Sequence, residues 1–275
     1  MKNDFALEAI EDVNQSAKNQ ILSHWKITFL PFAALFILGI FIVNYLGNVL
    51  ILGVSFIWVI GRIALVYSRA KEEFMRQFAR ANNFAYIGAG LVEKMQGVLF
   101  TYGRSQSITH LIEGAYKNHK ISFFFYSYVT GSGKHKQTHN YSVAEIEFKG
   151  NSPDIVVNSK DDWDMSSYTR PHHKQLPIES VFAERFAIFA PTDFEIETLE
   201  LFTPDVLSEL IKRATGYNLE FINNKLYIFK NKDIGTKIEL KKFLDLATYL
   251  ISALGDKIFR LHDDVMAMKE TLAQN

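Results

Sequence analysis

The stretch of sequence that most resembles a chemical site is residues 128–139, YVTGSGKHKQTH. Its GSGK core suggests a phosphate-binding loop, which needs an early glycine, a Ser or Thr after the lysine, a strand before it and a helix behind it. Here Tyr128 stands at the early glycine position, His135 comes directly after the lysine, and residues 138–148 have the pattern of another strand. The segment therefore predicts no phosphate-binding loop.

The two histidines of this segment, His135 and His139, also suggest a metal site. Four residues apart on a helix they would serve one ion, but on a strand the same spacing separates them by about 13 Å. We therefore interpret the segment as a basic hairpin tip in which glycines supply the positive φ angles. Lys134, His135 and Lys136 in this tip are candidate contacts for anionic lipid headgroups, and a solvated turn is the alternative.

Two further groups of polar residues offer candidate ligands or acids, one in a polar loop at 159–178 and one at 195–200. They are Asp161, Asp162, Asp164, His172, His173, Glu195, Glu197 and Glu200. Oxygen and imidazole ligands suit a metal, and paired carboxylates suit acid–base chemistry. Exposed loop residues and a solvated acidic face are the plainer interpretation. The sequence therefore predicts no cofactor and no catalytic residue, and it leaves a metal-dependent hydrolase as an alternative.

The composition excludes several classes of protein. Among 275 residues, 30 are basic and 30 are acidic. Nucleic-acid-binding proteins usually carry a basic excess, so no nucleic-acid partner is predicted. The sequence has no cysteine, which excludes disulfides, thiolate catalysis and cysteine-ligated zinc.

A long uncharged run extends from Ile27 to Gly61. As one helix it would be about 52 Å long at ~1.5 Å per residue, against a hydrocarbon core of ~30 Å. It therefore predicts two membrane-spanning helices, at about 27–44 and 49–67, with a turn at residues 44–48. A helical hairpin buried in a soluble core is the alternative, but both arms are apolar all round.

Basic residues flank the uncharged run on both sides and are absent from its turn. Lys18 and Lys26 precede the run, and Arg62, Arg69 and Lys71 come after it. By the positive-inside rule, this pattern predicts a multi-pass protein of the cell membrane with both termini in the cytoplasm.

Beyond the membrane segment the apolar pattern changes to that of strands. Strands are predicted at about 108–116, 120–130, 138–149, 153–158 and 181–190, and a hairpin at 218–230 that turns at 223–225. Residues 121–128 are aromatic on both sides, which predicts a central strand covered on both faces; a strand lining a lipid or ligand cavity is the alternative. A helix is predicted to begin at Thr203, a cap residue directly before Pro204.

The C-terminal segment has the most regular pattern in the chain. From Leu240 to Leu272 apolar residues recur in steps of four and three, which predicts a helix with one interaction seam. Additional apolar residues in its first half predict that this half packs on its own domain. The seam of the second half consists of Ile258, Leu261, Val265, Met268 and Leu272. We expect this seam to pair with an amphipathic helix near the N-terminus or, as a coiled coil, with a second copy of the chain.

Three stretches together resemble a known family: residues 128–148 (YVTGSGKHKQTHNYSVAEIEF), 186–211 (FAIFAPTDFEIETLELFTPDVLSELI) and 219–229 (LEFINNKLYIF). They are similar to uncharacterised bacterial membrane proteins that have an N-terminal transmembrane hairpin and a domain with a TGSGK turn and an FTPD helix start. The resemblance covers most of residues 70–255. It implies a membrane location and this architecture, and it supplies no catalytic residue.

These features predict an α+β fold with four parts. They are a cytoplasmic amphipathic helix at 1–26, a two-helix transmembrane hairpin at 27–67, a mainly antiparallel β-sheet domain with packing helices at 68–255, and an amphipathic helical tail at 256–275. The predicted function is a membrane-anchored cytoplasmic adaptor or scaffold that binds an unknown protein partner. A lipid- or small-ligand-binding module at the membrane surface is the main alternative.

Overall fold

A computed structural model describes residues 5–46, 50–116, 118–162, 172–178 and 181–273; the side chains of residues 46, 50–52, 149 and 258–273 are outside this description. The chain divides into two compact units. Residues 6–81 and 235–237 form the N-terminal unit. Phe5, residues 82–234 and the chain from residue 238 onward form the sheet unit.

The N-terminal unit consists of three helices: α1 (Val13–Ser23), α2 (Trp25–Leu46) and α3 (Leu50–Asn82). The apolar spacing near the N-terminus does produce a helix, although a shorter one than the predicted segment, and Ile10, Val13 and Ala17 are buried. The Asp12 carboxylate, which stands at the start of α1, accepts a hydrogen bond from the Lys237 amide (2.7 Å). The backbone beside it adds a second link, from the Val13 amide to the Gly235 carbonyl (2.8 Å).

Two of these helices are long and apolar enough to cross a membrane, over Trp25–Tyr45 and Gly53–Asn82. Only 11% and 17% of their most hydrophobic windows are buried, so they do not form the core of a soluble protein. Phe56 of α3 packs against Phe32 and Phe36 of α2, with ring centroids 5.7 and 6.1 Å apart. The two helices therefore form a hairpin, with residues 47–49 between them outside the described part of the chain.

The sheet unit contains seven strands within the described residues: β1 (Ala85–Gly90), β2 (Arg104–Tyr116), β3 (His119–Thr130), β4 (Gln137–Ser159), β5 (His173–Gln175), β6 (Phe186–Pro191) and β7 (Asn218–Lys230). Their order is β1-β2-β3-β4-β6-β5, and β7 pairs with β4. The strand pairs of this sheet are antiparallel. The helices of this unit are α4 (Val181–Arg185), α5 (Glu195–Leu201), α6 (Pro204–Arg213) and α7 (Lys237–Ala273, from residue 238). The predicted α+β fold is confirmed.

Strand β4 is the centre of the sheet, and here the predicted boundaries were wrong. The expected break at residues 150–153 lies inside one strand, and the expected hairpin at 218–230 is also one strand. Gly150 and Asn223 do have positive φ angles (100° and 53°), but they produce irregularities in the pairing between β4 and β7 rather than turns. The two irregular residues lie at neighbouring positions in the pairing of β4 with β7. Each strand therefore continues beyond its own irregular residue instead of turning.

The predicted strand at 181–190 is also wrong in its first half, which forms the short helix α4. Phe182 of α4 and Phe186, the first residue of β6, are four residues apart, and the helical turn between them brings their rings together. Their rings stack at 4.9 Å, and both side chains are buried. This contact favours a helical turn over an extended chain.

Both faces of the sheet are covered. Side chains 121–126 of β3 are all buried, as predicted for a central strand, and Phe124 and Tyr126 belong to a hydrophobic core cluster. On one face Phe100, from a segment at 92–101, contacts Tyr126 and Tyr227 with centroids 5.0 and 5.3 Å apart. On the other face α7 packs through Phe243, which lies 5.2 Å from the ring of Phe123.

Candidate functional site

The basic hairpin tip lies between β3 and β4 and is exposed, as predicted. Lys134, His135 and Lys136 have exposed side chains, and a 3₁₀ turn covers Gly133–His135. Gly131 has φ of 66°, and a Cβ atom there would overlap the carbonyl oxygen of His135. The turn thus depends on glycine for its geometry. A role in lipid binding stays a prediction.

The two histidines of the opening segment lie in different environments. His135 is exposed in the tip, whereas His139 is buried on β4. The ring of His139 stacks on Tyr128 with centroids 4.7 Å apart, and its Nε2 is 2.8 Å from the Thr130 hydroxyl. Strand β4, rather than a helix, comes after the GSGK sequence, as the sequence predicted.

Residues of the predicted Asp/His loop are used in the fold. The buried Asp162 carboxylate accepts a hydrogen bond from Nδ2 of Asn218 (2.7 Å). His173 lies with Nε2 2.8 Å from the carbonyl oxygen of Asp154. Asp164 is outside the described residues. Within the part of the chain that the structure describes, no three His, Asp or Glu side chains are grouped as metal ligands.

Two of the other acidic candidates make ion pairs at the surface. Asp161 is 3.8 Å from Arg185, and Glu195 is 3.1 Å from Lys174. Exposed pairs of this kind contribute little to stability. They match the interpretation of these carboxylates as a solvated face.

The structure adds a site that the sequence did not indicate, a surface cleft of about 410 Å³ in the sheet unit. It lies where the end of α6, the end of β7 and the first half of α7 converge. We call it the basic cleft, because its lining has four cationic side chains and one carboxylate. The lining residues are Lys212, Arg213, Thr215, Tyr217, Lys230, Lys242 and Asp245.

One wall of the basic cleft is the last turn of α6. Nζ of Lys212 and Nε of Arg213 each lie 2.8 Å from the Glu209 carboxylate. These hydrogen bonds, that of Lys212 first, lower the pKa of Glu209. Arg213 also lies over the ring of Tyr249, 5.2 Å from its centroid. The two cations share one carboxylate, so this wall keeps a net positive charge.

Strand β7 contributes Lys230, its last residue, to the lining of the cleft. Its Nζ lies 4.9 Å from the centroid of the Tyr217 ring, and the side chain is partly buried. Burial lowers the pKa of Lys230; Glu239 opposes this shift, and Lys232 and Lys242 add to it. Burial also raises the pKa of Tyr217 to about 12.

Helix α7 supplies Lys242 and Asp245, one turn apart, to the lining. Asp245 is 2.6 Å from Lys241, a neighbour outside the lining, so its charge is matched there. Together α6, β7 and α7 line a concave surface with an excess of positive charge. Concave basic surfaces concentrate anions.

The predicted tail seam is described by its backbone alone. Helix α7 continues through Ala273, which places residues 258, 261, 265, 268 and 272 along one helix at steps of three and four. The side chains of Ile258, Leu261, Val265, Met268 and Leu272 lie outside the described residues. Their pairing stays a prediction.

The sequence did not single out any cation of the basic cleft. Lys212 and Arg213 occupy the last turn of a helix, where basic residues are favoured by the helix dipole. The helix dipole alone therefore explains why both positions are basic. The one signal in the sequence is the density of basic residues at 212–213, 230–232 and 241–242, whose convergence depends on the fold.

Comparison with known proteins yields a likeness of fold. No protein-family model and no curated protein matches the chain. A similar solved structure is the mycobacterial trehalose monomycolate transport factor A, TtfA, with a TM-score of 0.52 and 11% sequence identity. The match covers 68% of this chain and 95% of that one. At this identity the similarity shows that the two chains share a fold.

Proposed function

We propose that this chain is a membrane-anchored adaptor. Two spans hold the sheet unit at the bilayer, and the C-terminal helix binds a protein partner. The proposal includes both termini in the cytoplasm, because basic residues flank the hairpin on both sides. It also includes membership of the bacterial membrane-protein family that the TGSGK and FTPD stretches resemble.

The observation that carries the adaptor role is the length of α7. The helix runs without interruption from Lys237 to Ala273, about 55 Å at ~1.5 Å per residue. Its first half is anchored to the sheet unit by buried side chains, among them Leu240, Phe243 and Leu250. The regular spacing of apolar residues then continues beyond the anchored part. Such a stripe is costly to leave in water, at ~25 cal/mol per Å², and favours a second helix against it.

We favour a second copy of the chain as the partner in this seam, with α1 of the same chain as the alternative. The test compares the full chain with Leu261→Asp in mild detergent by light scattering. Leu261 is a seam position, and Met266→Asp is the matched control because residue 266 lies off the seam in the same helix. We expect an oligomeric wild type, an oligomeric control and a monomeric Leu261→Asp. A monomeric wild type refutes self-pairing.

The orientation has its own test. A reporter that is active only outside the cytoplasm, fused after residue 275, should stay silent. A strong external signal would contradict a cytoplasmic C-terminus.

A second candidate function is binding of lipid at the membrane surface. The fold likeness to TtfA, a factor for transport of trehalose monomycolate, favours it, and the exposed basic tip offers a contact. Because the chain has no cysteine, His135→Cys creates a single labelling site. An environment-sensitive dye there should respond to phosphatidylglycerol but not to phosphatidylcholine in nanodiscs, and Lys134→Ala with Lys136→Ala should abolish the response. Identical spectra in the two lipids would exclude this role.

A further inference from the structure

The basic cleft differs from an ordinary charged surface in three ways. Its cations come from three separate elements, α6, β7 and α7, and converge on one volume of about 410 Å³. One of them, Lys230, is drawn in over the ring of Tyr217 and is partly buried. The nearby carboxylates do not neutralise the set, because Glu209 serves two cations, Asp245 pairs with Lys241, and Glu239, which acts on Lys230, pairs with Lys232.

The arrangement of donors suits a group with several anionic oxygens. Lysine ammonium groups act as compact point charges for phosphate, and an arginine guanidinium binds two of its oxygens side by side. Lys212 and Arg213 come from α6, Lys230 from β7 and Lys242 from α7. A dianionic group with three or more oxygens can contact more of these donors than a carboxylate, which carries one charge and two oxygens.

Partial burial of Lys230 supports the same conclusion. Burial costs a charged ammonium part of its hydration, and here Lys232 and Lys242 add repulsion. An anion in the cleft would offset both effects at once. The aromatic ring of Tyr217 holds the Lys230 ammonium group in place before any ligand arrives, which reduces the ordering that binding requires.

We propose that the basic cleft binds a phosphate group, carried either by the headgroup of a membrane lipid or by a small soluble phosphate monoester. This site does not depend on the adaptor role, since the tail seam and the cleft use different residues. Failure of the seam test would leave the cleft proposal unaffected, and the reverse holds as well.

The experiment uses the full chain in a neutral detergent and two probes. Glycerol 3-phosphate is the soluble probe, and phosphatidic acid in mixed micelles is the lipid probe, with phosphatidylcholine as the control lipid. Binding is measured by titration calorimetry at constant ionic strength. The main variant is Lys230→Gln with Lys242→Gln. Lys242→Glu alone is the second variant, because this position is exposed on α7 and its change leaves the core intact.

The matched control is Lys134→Gln with Lys136→Gln, which removes two positive charges from the exposed tip. Charge-assisted hydrogen bonds lead us to expect that each cleft variant weakens binding at least about tenfold, while the tip control binds as wild type does. This pattern with glycerol 3-phosphate identifies a soluble ligand, and the same pattern with phosphatidic acid alone identifies a lipid headgroup. No binding of either probe by the wild type, or equal binding by the wild type and both cleft variants, overturns the proposal.

Discussion

Replacing Phe243 with alanine should separate α7 from the sheet more effectively than any surface change. Phe243 is fully buried, and its ring lies 5.2 Å from Phe123 and 5.4 Å from Tyr217. Phe→Ala changes in cores cost about 3–5 kcal/mol, a value that combines lost transfer free energy with the cavity left behind. Each aromatic contact contributes about 0.5–1.5 kcal/mol beyond its area. The free energy of unfolding should therefore fall by about 4 kcal/mol.

The assay is thermal unfolding of the full chain in detergent, read from the sheet unit. For a unit of this size, about 2–4 °C is lost per kcal/mol, so the melting temperature should fall by roughly 8–16 °C. Ile238→Ala is the matched control on the same helix, since Ile238 is 70% exposed. Its effect should stay within about 0.5 kcal/mol.

The pKa of Tyr217 is an independent measure of the effect of Phe243→Ala. Burial raises the pKa of Tyr217 to about 12. Removal of the Phe243 ring admits water beside the phenol, so its pKa should move toward ~10, the ordinary value. The ultraviolet absorbance of tyrosinate tracks this shift. The reasoning is refuted if Phe243→Ala has the same melting temperature as the Ile238→Ala control and the same Tyr217 pKa as the wild type. In that case α7 does not pack on the sheet through Phe243.

Three further changes test other parts of the sheet unit. Gly131→Ala should destabilise the hairpin tip by about 1–2 kcal/mol, because φ is 66° and the new Cβ would overlap the His135 carbonyl; chemical denaturation measures this loss. Wild-type stability should fall between pH ~10 and about 12, because the unfolded chain loses the Tyr217 proton first, and melting curves across that range test the sign. Lys225→Met should cost about 3–5 kcal/mol, since Glu145, 2.9 Å away and almost fully buried, would lose its counter-charge. The double change with Glu145→Leu should recover most of that loss, and an unchanged midpoint in the single variant would refute the argument.

The sequence predicted those elements whose pattern is local. Strand β3, with aromatic residues on both sides, is buried from residue 121 to 126 as expected for a central strand. Helix α6 begins at Pro204, directly after Thr203 in an extended conformation, although Thr203 makes no side-chain capping bond. The four-three spacing of the C-terminus correctly predicted a long helix whose first half packs on the sheet. In each case neighbouring residues along the chain determine the outcome.

The incorrect predictions concern residues whose conformation depends on a distant partner. Gly150 and Asn223 are common turn residues and adopt positive φ angles, yet both lie within continuous strands. Asn223 pairs with Ser152, two residues after Gly150, and this pairing could be found only with the register of two strands some 70 residues apart. The same misreading placed Lys225 in an exposed turn, whereas it is a strand residue whose side chain pairs with Glu145.

The basic cleft shows why a site can be invisible in sequence even when each of its residues is ordinary. Lys212 and Arg213 are favourable at a helix end, Lys230 closes a strand, and Lys242 lies on the solvent side of an amphipathic helix. Each choice satisfies its own element, so no local rule is broken and no motif results. The excess of positive charge arises only in the folded chain, where α6, β7 and α7 meet around one volume. Local sequence rules explain each cation separately, but they do not explain the net positive charge of the cleft. This net charge is the feature that favours an anionic ligand.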